Sequence, residues 1–249
     1  MDLKLKNKVA VVTGASKGIG AGIAKVFAQA GAKLVINYAS DKAGAEKVVQ
    51  EIKALGAEAI AVQADIKDAA AVKRLFQEVK DTFGKLDILV NNAGVYKLEP
   101  LEEVTEESFH VQVNTHLFGN FLCTQQAVKL FGEQGGSIIN ISSTVSQNPV
   151  PGTVVYSAAK AGVDAMTKGL AKELGPRKIR INTLAPGMTE TEGTRDVIRG
   201  SALEQQMLAI TPLGRLGLPE DMAKVALFLA SDDAAWVTGE RITVAGGLL

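Results

Sequence analysis

The sequence predicts an α/β fold, one doubly wound domain of about seven parallel strands with helices on both faces. Three observations predict it. Short runs rich in Val, Ile and Leu alternate with longer segments of helical period along the 249 residues. The short runs are apolar throughout, the pattern of strands whose two faces are both covered by helices. Glycines follow four helical segments, at Gly31, Gly56, Gly84 and Gly132, where a residue free to turn left-handed closes a helix.

In chain order, the first run, 9–13, feeds a helix over 18–30 that Gly31 closes. The second, 34–38, leads to a helix over 41–55 and Gly56, and the third, 59–63, to one over 68–83 and Gly84. A fourth run at 88–91 precedes a long helical stretch from about 106 to 131, ended by Gly132. The remaining runs, 137–142, 179–184 and 241–244, alternate with helical patterns at 155–174 and 220–230. The least regular part, 187–210, carries a weak amphipathic pattern over 203–210 and reads as a mobile flap over a site or as a plain surface insertion. With no linker, composition break, low-complexity tract or repeat, residues 1–249 are read as one domain, although the length also allows two small ones.

Composition narrows the function classes. A hydrophobic share of 47% against 22% charged residues argues for a packed core and against disorder. The 27 Lys and Arg balance 27 Asp and Glu, so no global field attracts polyanions and no nucleic-acid partner is expected. Cys123 is the lone cysteine, which excludes an intrachain disulfide and suits a reducing cytoplasm; two histidines far from other ligands leave no expected metal site. The first eight residues are charged and lack a signal-peptide pattern, and no apolar run is long enough to suggest a membrane span.

The first strand ends in Thr13-Gly14-Ala15-Ser16-Lys17-Gly18-Ile19-Gly20 and leads straight into a helix. A glycine-rich turn in that context lets backbone N–H groups and the helix dipole approach a pyrophosphate closely. The second strand ends in Tyr38-Ala39-Ser40, with no acid until Asp41. An acidic side chain there would favour NAD by bonding the ribose 2′-hydroxyl and repelling a 2′-phosphate; its lack, with Lys17 and Ser16 in the phosphate turn, predicts NADP (NADPH) over NAD. Lys17 also reads as a plain solvated lysine, and Asp65 as a helix N-cap.

Tyr156 and Lys160 stand four apart on a helical stretch and so share one face, about one turn apart. An ammonium beside a phenol favours phenolate, so Lys160 is expected to lower the tyrosine's pKa and make it a usable proton donor to an alkoxide. Ser142 and Ser143 close the fifth strand, where a hydroxyl can stabilise developing negative charge. His110 reads as a helix-surface histidine, and His116 as no better placed for proton transfer. No Gly-x-Ser-x-Gly elbow surrounds the serines, which excludes a serine hydrolase.

From Lys8 to Gly247 these motifs, in this order, resemble those of the short-chain dehydrogenase/reductase family, whose members have one Rossmann-like domain of about this length. The phosphate turn is similar to the family's Thr-Gly-x-x-x-Gly-x-Gly, and Asn91-Asn92-Ala93-Gly94 matches its Asn-Asn-Ala-Gly. The resemblance implies that Asp65 and Ile66 border the adenine, that Asn92, Ala93 and Gly94 line the cofactor crevice, and that Pro186, Gly187, Thr189 and Thr191 hold the nicotinamide carboxamide. It selects Ser143 over Ser142, because Ser143 precedes Tyr156 by the family's interval, and it assigns Asn114 as the fourth catalytic residue beside Ser143, Tyr156 and Lys160, with Lys160 also on the nicotinamide ribose. It further implies a homotetramer.

The expected function is an NAD(P)H-dependent carbonyl reductase or alcohol dehydrogenase acting on a small-molecule carbonyl substrate, with Tyr156 as general acid/base. A 3-oxoacyl-acyl-carrier-protein reductase and a sugar dehydrogenase are admissible alternatives, and the apolar run 149–155 suits an uncharged substrate. A non-catalytic, cofactor-sensing scaffold is the alternative of another class, against which the complete residue set argues.

Overall fold

The structure is a computed structural model and describes residues 3–248. Its strands are β1 (Val9–Val12), β2 (Lys33–Tyr38), β3 (Ala59–Gln63), β4 (Ile88–Asn91), β5 (Gly136–Ile141), β6 (Ile179–Pro186) and β7 (Arg241–Val244). They form one sheet in the order β3-β2-β1-β4-β5-β6-β7, with every pairing parallel. The chain winds outward from β1 to β3, returns to β4 on the other side of β1, and winds outward again. The crevice at this reversal, at the C-terminal ends of β1 and β4, is where an open α/β sheet binds ligands.

The helices are α1 (Gly18–Gln29), α2 (Lys42–Ala54), α3 (Ala69–Phe83), α4 (Glu106–Val113), α5 (Gly119–Leu130), α6 (Val154–Leu174), α7 (Arg195–Ile198), α8 (Ala202–Ile210) and α9 (Pro219–Ala230). Two cores flank the sheet. Ala10 and Val12 of β1 pack with Ile23 and Phe27 of α1, Val48 and Ile52 of α2 and Met222 and Leu229 of α9. Val9 and Val11 pack on the other side with Leu75 and Phe76 of α3, Cys123 and Ala127 of α5 and Leu174 of α6. Successive residues of one strand serve opposite faces, so a run buried on both sides has no polar alternation to show.

Two expectations are corrected. The stretch from 106 to 131 is not one helix: a π turn, Asn114–Phe118, separates α4 from α5. The wider turn re-aims the chain, and Thr115 and His116 are buried while Phe118 is exposed. Gly132 is not a left-handed cap, because α5 ends on Phe131 in extended conformation (φ −66°, ψ 128°) and Phe131 bridges to Leu86. Gly31, Gly56 and Gly84 do take positive φ, at 93°, 84° and 74°. The segment read as irregular, 187–210, contains the short helices α7 and α8.

Candidate active site

The phosphate turn is braced from β4. Thr13 Oγ1 accepts from the backbone N–H groups of Asn92 and Ala93, both at 3.0 Å. The Asn92 amide donates to the carbonyls of Thr13 (2.8 Å) and Gly14 (3.0 Å). Gly14 turns through φ +60°, and a Cβ there would lie 2.7 Å from Ala93 Cα; one on Gly20 would lie 2.4 Å from Asn92 Nδ2. Both glycines are therefore required by close approach. Buried Asn37, which the sequence reading passed over, accepts from Gly14 N–H at 3.3 Å and donates to the Ala64 carbonyl at 3.0 Å. Ser16 and Ile19 are half-buried and Lys17 is exposed, so the turn offers a polar rim at the start of α1.

At the end of β2, Tyr38 is buried while Ala39 and Ser40 are exposed. Asp41 does not reach toward this rim as a ribose ligand would; its carboxylate caps α2 by accepting from Gly44 N–H at 3.0 Å. Asp65 accepts from Lys67 N–H at 3.0 Å and pairs with the Lys67 ammonium at 3.3 Å, while Asp68 is the N-cap of α3. Ile66 beside it is buried. After β6, Thr189 donates to the Gly187 carbonyl at 3.0 Å, Gly187 packs on Ala245, and Thr191 lies near Gly18. Glu192 Oε2 accepts from the Gly18 N–H at 2.9 Å, so this turn already binds an anionic oxygen from within the chain. The close-packed glycines and an amide that already takes an anionic oxygen fit a dinucleotide along this edge.

The chemical groups converge next to it. Ser143 follows β5, and its hydroxyl hydrogen-bonds the Tyr156 hydroxyl. Ser142 turns away, with its Oγ 3.4 Å from the Lys160 carbonyl. Tyr156 and Lys160 lie in the first two turns of α6, and Lys160 Nζ donates to the Ile141 carbonyl at 2.7 Å.

The charge state departs from expectation. Lys160 does not pull the phenol down: burial pushes Tyr156 up to about 12, the Ser143 hydrogen bond opposes this, and Tyr96 adds to it. Burial pushes Lys160 down to about 7, with the Asp164 carboxylate opposing. The Lys160 amine donates to the Ile141 carbonyl and lies 5.6 Å from the centre of the Tyr156 ring. Desolvation therefore dominates both groups.

Asn114 is half-buried and opens the π turn, where the α-helical hydrogen-bond pattern is interrupted. His116 is the side chain of that turn that reaches the centre, 5.1 Å from the Tyr156 ring and nearly perpendicular to it. Nothing in the local sequence distinguishes it from His110, which is exposed and near Glu106. Arg241, also unforeseen, donates from Nη2 to the Ser143 carbonyl at 2.9 Å and from Nε to Asp164 at 3.0 Å. Among the described residues no His, Cys, Asp or Glu side chains group as metal ligands, and no helix is long and apolar enough to cross a membrane.

Residues 14–249 match the family described as Enoyl-(Acyl carrier protein) reductase. The chain is 54% identical over 246 residues to an uncharacterized oxidoreductase of Methylorubrum extorquens, covering 98% of this chain and 99% of that one. It is 43% identical over 242 residues to the 3-oxoacyl-acyl-carrier-protein reductase of Staphylococcus aureus, covering 97% and 98%. A solved short-chain dehydrogenase from Burkholderia cenocepacia in complex with NADP is similar at TM-score 0.93 and 35% identity, over 98% of this chain and 99% of that one. A 7α-hydroxysteroid dehydrogenase complexed with NADH and 7-oxo glycochenodeoxycholic acid is similar at TM-score 0.95 and 36% identity, over 100% and 96%.

Proposed function

The chain belongs to the short-chain dehydrogenase/reductase family of oxidoreductases, and we propose that it reduces a small ketone with NADPH, using Tyr156 as the proton donor. The observation that carries this reading is the meeting of Ser143, Tyr156 and Lys160 beside a turn built to hold a pyrophosphate.

Gly14, Ser16, Lys17, Gly18, Ile19 and Gly20 would hold the pyrophosphate, and the exposed rim at Ala39 and Ser40 leaves room for a 2′-phosphate within reach of cationic Lys17. Asp65, Ile66, Asn92, Ala93 and Gly94 complete the adenine and ribose side. Pro186, Gly187, Thr189 and Thr191 take the carboxamide side, and Lys160 the nicotinamide ribose. A bound nicotinamide supplies the hydride. Ser143 and Tyr156 hold the ketone oxygen with their hydroxyls, and Ser143 steadies the negative charge that grows there. Tyr156 gives that oxygen its phenolic proton. Burial keeps this phenol protonated at neutral pH, so its proton is in place for transfer.

Tyr96 packs on the phenol ring, Leu98, Val150 and Val154 are exposed apolar side chains of the same two segments, and the Glu99 N–H donates to the Gly152 carbonyl at 2.9 Å, joining them. Such walls suit an uncharged substrate. A β-keto thioester on an acyl carrier is the second reading, favoured by the name of the Staphylococcus aureus relative. A cytoplasmic setting fits the free, buried Cys123. One domain with 187–210 as a flap fits the contact of Glu192 with the phosphate turn. Exposed Phe109, Phe118 and Phe121 on one helical segment, with fully exposed Trp236, suit burial against further copies of the chain in a homotetramer.

The test is NADPH and NADH oxidation by wild type and Tyr156→Phe against aryl and alkyl ketones, a β-keto ester and a β-keto thioester. Turnover should fall by about 10²–10⁴ in the variant while NADPH still binds. Retained turnover would overturn the assignment of the acid, and clear preference for the thioester would move the protein to the second reading.

A further inference from the structure

The Tyr156 ring is held edge-on from two sides, by Tyr96 and by His116, each with its ring centre 5.1 Å away and at 85° and 81° to the phenol plane. Tyr96 is largely exposed, whereas His116 is 1% exposed and fixed by the π turn. His116 Nε2 lies 2.6 Å from the Val95 carbonyl oxygen. The Val95 N–H also lies 3.4 Å from Nε2, but the carbonyl contact is much the shorter and a carbonyl only accepts, which favours the proton on Nε2 and a bare lone pair on Nδ1. That Nδ1 is buried and has no partner among the described residues.

The backbone beside it is shaped around the ring. A Cβ on Gly94 would lie 2.7 Å from His116 Cε1 and 3.3 Å from Nδ1, so any larger residue at 94 would displace the imidazole. The glycine attributed from the sequence to the cofactor crevice thus also makes room for a histidine. The titratable groups around the imidazole are Lys160 and Tyr156 from α6, with Tyr96 also packed on Tyr156. Burial holds the imidazole well below its ordinary value, and the nearby Lys160 charge pushes the same way. A second cation beside Lys160 is disfavoured for the same reason.

We infer that His116, with its proton on Nε2, is a positioning residue of this centre, joining the 94–95 backbone to the Tyr156 ring so that the wall of the substrate site and the proton donor move as one unit. The inference rests on the carbonyl-reductase reading of Tyr156. A residue acting in this way touches neither hydride nor proton, so its loss changes where the phenol sits and leaves the chemistry's participants in place.

The test uses the full-length enzyme with NADPH and an aryl ketone, comparing His116→Phe and His116→Gln with wild type and Tyr156→Phe. The phenylalanine keeps the edge contact and loses the donor to Val95; the glutamine keeps a donor and loses the ring. The expected result for His116→Phe is a kcat lowered about tenfold and a raised ketone KM, with NADPH affinity unchanged and part of kcat recovered in His116→Gln. A His116→Phe enzyme with wild-type kcat and KM overturns the inference. Loss of turnover in Tyr156→Phe beside it shows that the parent reading still stands; retention there brings down the parent reading instead. A second readout needs neither activity nor a variant. With only two histidines in the chain, ring-nitrogen NMR resolves each tautomer, and His116 is expected as the neutral Nε2–H form at neutral pH. An Nδ1–H form overturns the inference even if His116→Phe fails to fold.

Discussion

The Glu192 carboxylate accepts a hydrogen bond from the backbone N–H of Gly18, 2.9 Å away, although the two residues lie 174 apart in the chain. Gly18 opens α1, and its amide is one of the donors that a helix N-terminus presents to an anion. Glu192 is held below the usual carboxylate range, first by a bond to its own backbone and then by Gly18, Lys25 and Arg195 against a burial penalty, so it is ionised at neutral pH.

A cofactor pyrophosphate brought to this turn meets that charge. Replacing Glu192 with Gln should therefore tighten NADPH binding about two- to fivefold at low salt, the effect shrinking as ionic strength rises. Fluorescence titration at two salt concentrations checks it. Weaker binding in the variant would show that the carboxylate supports the cofactor, as a flap contact would, and does not compete with it.

Lys160 gives a pH prediction with a definite sign. Its folded value of about 7 lies below its ordinary 10.5 because of burial. Between those values the unfolded chain holds a proton that the folded chain has released, so stability from this group rises with pH across the window. Below about 7 both states hold the proton and the cost of a buried ammonium is fully present. Lys160→Met should accordingly raise the melting temperature of the cofactor-free protein near pH 6 relative to wild type, by a few °C in order of magnitude, with the gap narrowing toward pH 9. Taking the difference cancels Tyr156, whose raised value gives the opposite slope above pH 10. A gap independent of pH would mean that the amine is not desolvated.

Cofactor choice is tested at Ser40. It is exposed at the end of β2, while Asp41 is turned to cap α2. Ser40→Asp places a carboxylate at the rim where the 2′-phosphate is expected, and should shift the ratio of kcat/KM for NADPH over NADH toward NADH by about tenfold or more. Parallel initial-rate measurements decide it, and an unchanged ratio would place the selector elsewhere.

The strands were readable because parallel strands buried on both faces carry no polar alternation, as Val9, Ala10, Val11 and Val12 show. Ser143 was separable from Ser142 by its interval to Tyr156. What stayed hidden depends on tertiary placement. A π turn adds one residue to a helical rung, which composition and period do not register, and this is why the buried placement of His116 was passed over. Helical spacing puts Lys160 near the Tyr156 ring but does not register the burial that raises the phenol's pKa. Glu192, Asn37 and Arg241 reach the site from far along the chain, and no local pattern marks them.

Arg241 provides the last test. It and Asp164 are about nine-tenths buried, paired at 3.0 Å, with Ser146 donating to the same carboxylate oxygen at 2.6 Å. The pair links three elements of the site: Asp164 lies one turn after Lys160 on α6, Arg241 lies on β7, and the guanidinium holds the carbonyl of Ser143. Removing one partner leaves the other buried and uncompensated, so Arg241→Met should cost about 3–5 kcal/mol, whereas Arg241→Met combined with Asp164→Leu should cost less than Arg241→Met alone. Both variants lose the hold on Ser143, so their kcat should fall together even where the double variant regains stability. Urea unfolding and steady-state kinetics on the same preparations separate these effects. Recovery of kcat in step with stability would mean that Arg241 acts through the fold alone and does not place the Ser143 hydroxyl.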